Sequence, residues 1–305
     1  MRSPLMRFDR NPVLTPEMIP FDCYTVMNAG VTRFEGDVLL LLRIEDCLRN
    51  TRFHVARSKD GINFNVSENP IIYPESQIDQ MGKNSNRFDM RITHIDDVYY
   101  VFHAVWTDPW GSMINLARTT DFVHFEQLSH SVPSNRNAVL FTEKINGNFA
   151  RLERPQNIDG KGHIWYSESP DLEFWGNSMP VCLPHMNWAQ RKTGPGCIPI
   201  KTKHGWLEIY HATSTTASTE NYYLGVCLLD LYEPWKVIAA PQEFILAPEE
   251  IYECVGQTPN VVFTGGGCEM DDGQYFVYYG GADTRLCLAK TTVAKLLDYC
   301  LVSKG

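Results

Sequence analysis

Short apolar runs alternate with turn-forming pairs along most of the chain. Runs such as 38–42, 98–102 and 275–279 consist of valine, leucine, tyrosine and phenylalanine, which is the composition of buried strands. Pairs such as Asn146-Gly147 and Asp272-Gly273 stand just before further apolar runs, as hairpin turns do. Helical periodicity is confined to about the last dozen residues. The pattern therefore predicts an all-β chain that ends in one short helix.

A weak internal repeat predicts the architecture. Residues 56–64 (ARSKDGINF) recur as 117–125 (ARTTDFVHF) and 167–175 (SESPDLEFW), and two decayed copies follow at 227–231 and 288–292. The clear copies are strands that run into a Ser/Thr-x-Asp turn, in which the carboxylate bonds the backbone that follows. Five copies at spacings of about 50 to 60 residues predict a single five-bladed β-propeller over residues 1–305. A β-sandwich is the alternative, but it would not show this period.

Composition and charge narrow the class of protein. The 305 residues are 44% apolar and 12% aromatic, which allows a sizeable core, and the formal net charge of −9 argues against a nucleic-acid partner. No apolar stretch has the length of a signal peptide or a membrane span, so we expect a cytoplasmic protein without a membrane partner. The nine cysteines form no C-x-x-C pair, which predicts reduced thiols and no metal site.

Asp89 is the first candidate for chemistry. It stands between Arg87 and Arg91, shortly before the predicted strand at 98–102. An aspartate flanked by arginines is either part of a structural ion pair or an acid that points into the channel of the propeller. The spacing alone does not distinguish these two interpretations.

A second set of candidates is basic. Arg136 and Arg154 flank the hairpin at Asn146-Gly147, so their side chains could face each other across adjacent strands. Two arginines in that arrangement either lie on the surface or form a clamp for an anion such as phosphate. The segment 191–196 (RKTGPG) and His211 are weaker candidates, because a plain turn and a buried core histidine are the more common explanations.

Taken in order, these elements resemble a known family over nearly the whole chain. The matching stretches are 28–30 (NAG), 88–92 (FDMRI), 139–145 (VLFTEKI), 153–155 (ERP), 193–196 (TGPG), 209–211 (IYH) and 279–284 (YGGADT). The family is glycoside hydrolase family 130, the β-mannoside phosphorylases and related mannosidases. The resemblance implies a five-bladed propeller, in agreement with the repeat.

The resemblance also implies an acid and a phosphate site. Asp89 corresponds to the proton donor of the family, which is thought to act through the mannose 3-hydroxyl. The residues that correspond to the phosphate ligands are Arg136, Asn137, Arg154, Lys192 and His211. Arg191 replaces Lys192 in this set if the correspondence shifts by one residue.

The remaining candidates correspond to substrate contacts. Mannose in the first subsite would be held by Asn28, Arg43 and Asp283. Phe88, which precedes the acid and lines the neighbouring subsite in some members, and Arg91 complete the predicted contacts.

The resemblance implies inverting phosphorolysis of β-mannosides, with inorganic phosphate as co-substrate and no cofactor. An inverting hydrolase needs a second carboxylate to activate water, whereas phosphate needs only a pocket that neutralises its charge and orients one oxygen. The products would be α-D-mannose 1-phosphate and a shortened sugar. We expect the β-1,4-mannooligosaccharide or β-1,4-mannosyl-N-acetylglucosamine type, and the resemblance allows a homo-oligomer.

Three alternatives remain open from the sequence. One is a β-1,2-mannoside phosphorylase. Another is a hydrolase on the same propeller, for which Glu153 and Glu208 are the available second acids. The third is a carbohydrate-binding propeller without turnover.

Overall fold

A computed structural model of the protein describes residues 3–74, 86–107, 110–157, 159–217 and 219–302. Within these ranges the chain forms five antiparallel sheets, which are the five blades of a β-propeller. The inner strands of the blades contact one another around a central channel. The all-β, five-bladed fold predicted from the repeat is confirmed.

The strands follow one another from the channel outward in each of the first three blades. Blade 1 consists of β2 (Cys23–Phe34), β3 (Asp37–Asp46), β4 (Thr51–Ser58) and β5 (Asn65–Pro70). Blade 2 consists of β6 (Asn86–Ile95), β7 (Val98–Thr107), β8 (Gly111–Thr119) and β9 (Glu126–His130). Blade 3 consists of β10 (Asn135–Leu140), β11 (Phe149–Pro155), β12 (Trp165–Ser169) and β13 (Gly176–Pro180).

The last two blades depart from this simple order. Blade 4 consists of β14 (Lys192–Pro195), β16 (Gly205–Thr215), β17 (Glu220–Leu229) and β18 (Val237–Ala239), with β15 (Ile200–Thr202) also paired to β16. Blade 5 consists of β19 (Val262–Glu269), β20 (Tyr275–Gly281), β21 (Arg285–Thr291) and, at its outer edge, β1 (Met6–Arg7). The first strand of the chain therefore completes the last blade and closes the ring.

A buried ion pair strengthens this closure. Nε and Nη2 of Arg7 donate to the two carboxylate oxygens of Glu253, each at 2.8 Å, and Glu253 is fully buried. Glu253 lies on a short helix, Ile251–Cys254, and also accepts a hydrogen bond from Tyr279. The geometry is bidentate, so the N-terminal strand is joined to blade 5 by charge as well as by backbone pairing.

The repeated segments occupy equivalent places in the fold. Each lies in or at the end of the third strand of its blade, namely β4, β8, β12, β17 and β21. In the clear copies the aspartate caps the turn that follows: Asp121 Oδ1, for example, accepts from the backbone N–H groups of Val123 and His124, both at 2.8 Å. The predicted C-terminal helix is confirmed as Val293–Val302. No helix in the described part of the chain has the length and apolarity that crossing a membrane requires.

The hydrophobic core lies between neighbouring blades. Phe102 of blade 2 packs with Leu140 of blade 3, and Leu41 of blade 1 packs with Val101 of blade 2. Because side chains alternate along a strand, the strands that carry these residues present one row of apolar side chains to a neighbouring blade. Burying a side chain of this size stabilises the fold by about 1.5–3 kcal/mol. The blades are therefore held by packing, which leaves the channel free for polar residues.

Bulges interrupt the inner strands of four blades. The register shifts between Val26 and Ala29 in β2, between Phe88 and Arg91 in β6, and correspondingly in β10 and β19. A bulge redirects the side chains around it, and bulges are common next to active sites. Here the bulges of β2, β6 and β10 carry Asn28, Asp89 and Asn137.

Candidate active site

Asp89 lies in the channel and is contacted from two other blades. Its side chain is 4% exposed. Oδ1 accepts a hydrogen bond from Nδ2 of Asn28 at 3.3 Å and lies 3.7 Å from Nη1 of Arg43. Oδ2 accepts from Nη2 of Arg136 and Nδ2 of Asn137, both at 3.1 Å. Asp89 is therefore an ion-paired residue and a channel acid at the same time.

The surroundings of Asp89 favour its ionised form. Burial raises the pKa of the carboxyl group, but the guanidinium groups of Arg136, Arg43 and Arg91 outweigh burial and hold the pKa well below its usual range. A proton on Asp89 would therefore require another negative charge nearby, or a competitor for these arginines.

The backbone at the site is held in a strained conformation. Asp89 has a φ of 61° and Asn137 has a φ of 58°, both in the left-handed region that non-glycine residues seldom adopt. Each lies in a bulge of an inner strand. Asp and Asn tolerate this region better than other side chains, although it still costs roughly 1–2 kcal/mol. The conformation turns the carboxylate and the amide toward each other.

Arg154 extends this polar network from β10 to β11, the second strand of blade 3. Arg136 and Arg154 are paired in the register of β10 and β11, so the predicted facing of these two residues is confirmed. Nε and Nη2 of Arg154 donate to Oδ1 of Asn137 at 3.1 and 2.7 Å, and this orients the amide toward Asp89. Burial and the positive charge of Arg136 lower the pKa of Arg154. Two guanidinium groups so close together, that of Arg154 buried and that of Arg136 partly exposed, form a strong local field for an anion.

His211 lies against Arg154 because Gly194 leaves room for both. A Cβ atom at Gly194 would lie 2.5 Å from Cε1 of His211 and 2.9 Å from Cδ of Arg154. The His211 ring is 1% exposed and packs on Phe263 with ring centroids 4.7 Å apart. Burial, followed by the charge of Arg154, holds the pKa of His211 well below its usual range, so the ring is neutral.

Several buried polar atoms of this network lack a hydrogen-bond partner in the described structure. Among the described residues, Nη1 of Arg154, Nδ1 of His211, Nε of Arg136, Nε of Arg43 and Oδ1 of Asn28 have no hydrogen-bond partner. Leaving a buried polar atom unpaired costs about 1–3 kcal/mol. Such a concentration around one carboxylate is typical of a site that a polar ligand completes. We refer to Arg136, Asn137, Arg154, Lys192 and His211 as the basic cluster.

Lys192 stands at the edge of the basic cluster. Its Nζ lies 3.1 and 2.8 Å from the two carboxylate oxygens of Glu220, and Nε of Arg191 bonds the same carboxylate. The register of β14 places Lys192 on the same side of the strand as Gly194, which meets His211. Glu220 therefore neutralises both residues that could serve as the cation of the site.

The predicted sugar contacts lie on the other side of Asp89. Arg43 and Arg136 stack on Phe88, with guanidinium carbons 5.6 and 4.4 Å from the ring centroid. Phe88 is thus buried between two cations and positions them on either side of the acid. Asp283 lies in the turn after β20, and burial raises its pKa while Thr258 and Arg43 oppose the shift.

Arg91, which the resemblance places among the substrate contacts, bonds backbone groups of three blades in the structure. Its guanidinium is fully buried and donates to four backbone carbonyl groups: Gly196 from Nε at 3.2 Å, Asp89 from Nη1 at 2.7 Å, and Pro195 and Thr264 from Nη2, both at 3.2 Å. A guanidinium engaged in this way has little capacity left for a sugar hydroxyl. The geometry argues against a substrate contact and gives Arg91 a positioning role, because it ties the inner strands of blades 2, 4 and 5 together beneath Asp89.

Tyr222 is a further residue beside the basic cluster, and no motif in the sequence predicted it. Burial raises the pKa of its phenol, which also senses the charges of Arg136, Glu220 and Arg154 and, more weakly, Asp283. Tyr222 and Glu220 lie on one face of β17, the face that meets Lys192. The alternation of Glu220 and Tyr222 along the strand is the signal that could have identified it.

Neither proposed second acid is available to activate water. Glu153 is 6% exposed and bonds Arg151 at 2.6 Å and Asn135 at 2.8 Å through one oxygen, on the face of β11 opposite Arg154. Glu208 is fully buried, and burial holds its pKa well above the usual range. Burial therefore favours the neutral form of Glu208, whose Oε1 accepts a hydrogen bond from the Gly196 N–H at 3.0 Å.

Known proteins share both the sequence and the fold. The chain is 34% identical over 306 residues to the beta-1,4-mannooligosaccharide phosphorylase of Ruminococcus albus, covering 97% of this chain and 90% of that protein. It is 36% identical over 298 residues to the 1,2-beta-oligomannan phosphorylase of a Thermoanaerobacter species, covering 93% and 96%. The solved beta-1,2-mannobiose phosphorylase of Listeria innocua, in complex with beta-1,2-mannobiose, superimposes with a TM-score of 0.86 at 28% identity over 98% of this chain and 99% of that one.

The family assignment agrees with these similarities. A family model described as beta-1,4-mannooligosaccharide phosphorylase matches residues 6–301, which is nearly the whole chain. The match spans all five blades and every residue of the site described above. The chain belongs to glycoside hydrolase family 130.

Proposed function

We propose that this protein is an inverting β-mannoside phosphorylase that uses Asp89 as the acid and the basic cluster as the phosphate site. One observation carries the proposal: a buried carboxylate bonds directly to Arg136 and Asn137, while neighbouring buried donors have no partner in the described structure. Nη1 of Arg154 and Nε of Arg136 are both donors to which a phosphate oxygen is well matched. The names of the similar phosphorylases support the same reaction class.

The proposed reaction requires no second carboxylate. Phosphate carries its own negative charge, so the protein has only to neutralise part of that charge and orient one oxygen at the anomeric carbon. In this step a bond forms between a phosphate oxygen and the anomeric carbon, and the glycosidic bond breaks. A proton from Asp89 reaches the oxygen of the leaving sugar. Mannose 1-phosphate and a shortened sugar result. Asn28, Arg43 and Asp283 are the proposed contacts of the mannose ring.

The low pKa of Asp89 in the unliganded site is consistent with this role. The same guanidinium groups that stabilise its carboxylate are the proposed ligands of phosphate. A bound phosphate would draw Arg136 away and add a negative charge nearby, and both effects raise the pKa of Asp89. The acid would therefore be protonated when the nucleophile is present.

The linkage is the finer part of the proposal. We propose β-1,4-mannosides, either mannooligosaccharides or mannosyl-N-acetylglucosamine, as the substrates. The family model and the Ruminococcus albus relative favour the β-1,4 linkage. The Listeria innocua and Thermoanaerobacter relatives make the β-1,2 linkage the second candidate.

A product assay tests the proposal. The protein is incubated with β-1,4-mannobiose, β-1,4-mannosyl-N-acetylglucosamine or β-1,2-mannobiose, with and without inorganic phosphate, and mannose 1-phosphate is measured by phosphorus NMR. We expect turnover of one β-1,4 substrate, α-D-mannose 1-phosphate as the product, and no turnover without phosphate. Equal release of free mannose in both buffers would identify a hydrolase. Preference for β-1,2-mannobiose would replace the proposed β-1,4 linkage with the β-1,2 linkage.

A further inference from the structure

Two exposed tryptophans stand on the mouth of the channel, on the blade that carries the acid. Trp106 lies at the end of β7 and is 51% exposed, and Trp110 lies just before β8 and is 43% exposed. Among the described residues, neither indole has a hydrogen bond, an ion pair or a ring contact. Single exposed apolar residues are common, but two tryptophans within one hairpin at the entrance of a site indicate a binding surface.

The register of blade 2 relates Trp106 to Asp89. Ala104 is paired with Phe88, and Trp106 is paired with position 86, three residues before the acid. At the rise of a strand, position 86 lies about 10 Å from Asp89 toward the mouth. Trp106 is therefore displaced from the reacting centre by a distance on the scale of additional sugar rings.

The alternation along β7 gives the direction that Trp106 faces. Phe102 packs against Ala138 and Leu140 of blade 3, and residues 102, 104 and 106 share one side of the strand. Trp106 therefore continues, beyond the core, the face that is turned toward blade 3. The first residue of β8 approaches the start of the same blade, since a Cβ atom at Gly111 would lie 3.7 Å from Oγ of Ser134.

The interior of the channel restricts where a long substrate can go. Beneath Asp89, the fully buried guanidinium of Arg91 lies across the channel and bonds carbonyl groups of blades 2, 4 and 5. An oligosaccharide whose terminal unit lies at Asp89 must therefore extend outward, toward the mouth. The hairpin with the two tryptophans is part of that mouth.

We infer that Trp106 and Trp110 form a stacking platform for the distant units of a β-mannan oligosaccharide, beyond the bond that is cleaved. The inference rests on the proposed function and extends it to substrate length. Indole rings offer a large rigid apolar face to the C–H face of a pyranose, and the indole N–H remains free for a hydroxyl group. The platform makes the enzyme select chains longer than a disaccharide.

Kinetics with substrates of different length test the platform. kcat/KM is measured at saturating phosphate for the mannobiose and mannotetraose of the linkage that the wild-type protein prefers. The readout is the ratio of the tetraose value to the biose value. In the W106A/W110A double variant we expect this ratio to fall at least tenfold, and in W106F we expect it to stay close to the wild-type ratio because an aromatic face remains.

Phe174 provides a matched control. It is 73% exposed and lies in the turn after β12, which is a turn of the repeat and not part of the mouth. F174A should keep the wild-type ratio. A double variant that keeps the wild-type ratio, or one that loses biose and tetraose activity equally, would overturn the platform.

Calorimetric titration with mannotetraose and mannobiose, without phosphate, gives a second readout that needs no turnover. We expect the wild-type protein to bind the tetraose more tightly and the double variant to lose that preference. Equal binding of both sugars by the wild-type protein would overturn the inference even if phosphorolysis occurs. Tetraose-selective binding without phosphorolysis would instead contradict the proposed function and leave the platform standing.

Discussion

Nη2 of Arg136 lies 3.1 Å from Oδ2 of Asp89, and Nδ2 of Asn137 lies 3.1 Å from the same oxygen. Two members of the basic cluster are therefore held by the acid in the unliganded protein. Phosphate and the Asp89 carboxylate compete for the same donors under the proposed function. The binding of phosphate and the protonation of Asp89 are consequently linked.

The first prediction concerns the Asp89→Asn variant. We expect turnover to fall by about 10²- to 10⁴-fold, the usual loss when a general acid is removed. At the same time we expect phosphate to bind roughly three- to tenfold more tightly, because the variant removes a competing negative charge next to Arg136. Isothermal calorimetry with inorganic phosphate measures the second effect without any reaction.

The opposite change in affinity would contradict this linkage. If Asp89→Asn binds phosphate more weakly than the wild-type protein, the carboxylate orients the cluster instead of competing with the ligand. Thermal unfolding of both proteins serves as the control for folding, since Asp89 is buried and holds a strained backbone conformation.

The second prediction compares the loss of an arginine of the basic cluster with the loss of an arginine on the protein surface. Arg154→Ala removes a buried guanidinium and the two hydrogen bonds that orient Asn137. A charge-assisted bond contributes about 1.5–3 kcal/mol, so the KM for phosphate should rise about 10- to 100-fold. The KM for the mannoside should change much less. Arg118→Ala is the control, because Arg118 is exposed and pairs only with the exposed Glu126 in the described structure.

The blades could be predicted from the sequence because the patterns that indicate them involve only neighbouring residues. A strand that runs into a Ser/Thr-x-Asp turn needs only neighbouring residues, and the copies were recognisable one by one. The pairing of Arg136 with Arg154 was equally accessible, since a hairpin determines which residues face each other. The contacts of Asp89 were not, because Arg43 and Arg136 come from blades on either side of its own.

Arg91 shows where local reasoning fails. The resemblance places Arg91 among the substrate contacts, and in a regular strand residues 89 and 91 would point the same way. The bulge between Phe88 and Arg91, with Asp89 at a φ of 61°, breaks this alternation. The Asp89 carboxylate faces Arg43 and Arg136 of the neighbouring blades, whereas the Arg91 guanidinium bonds backbone carbonyl groups of blades 2, 4 and 5. Whether a strand contains a bulge depends on packing across blades, so the residues next to the bulge do not predict it.

The third prediction distinguishes Lys192 from Arg191. Lys192 lies on the side of β14 that carries Gly194, whose register partner on β16 is His211. Burial lowers the pKa of Lys192, Glu220 opposes this shift, and the charge of Arg154 adds to it. Lys192→Ala should therefore raise the KM for phosphate about tenfold, as the loss of one charged contact does. Arg191→Ala should change this constant less than twofold. Steady-state kinetics at low ionic strength, where charge effects are largest, gives both values. The reverse order would assign the contact to Arg191.

The last prediction concerns Glu208, which is fully buried and whose pKa is held well above the usual range by that burial. Its folded-state pKa is raised, so unfolding releases a carboxyl group that ionises more readily. The contribution of this raised pKa to the free energy of unfolding is complete below the ordinary pKa of glutamate, about 4.3. It is lost as pH rises toward the folded-state pKa, at about 1.4 kcal/mol per pH unit. Glu208→Gln does not titrate and keeps the acceptor for the Gly196 N–H. We expect the variant to gain stability over the wild-type protein between pH 4.5 and pH 7, by at most about 3 to 4 kcal/mol, and to keep its phosphorolytic activity.

Glu253→Gln is the matched control for Glu208→Gln, because Glu253 is just as buried but has the opposite shift. Burial raises the pKa of Glu253, yet the hydrogen bonds from Arg7, backbone N–H groups and Tyr279 lower it overall. Its stabilising contribution is present above the ordinary pKa of glutamate and is lost as pH falls. Glu253→Gln should therefore lose stability at pH 7, and the loss should shrink toward pH 4. Urea unfolding at several pH values follows both variants.

A hydrolytic base at position 208 would instead make Glu208→Gln inactive in phosphate-free buffer, where a wild-type hydrolase would still release mannose.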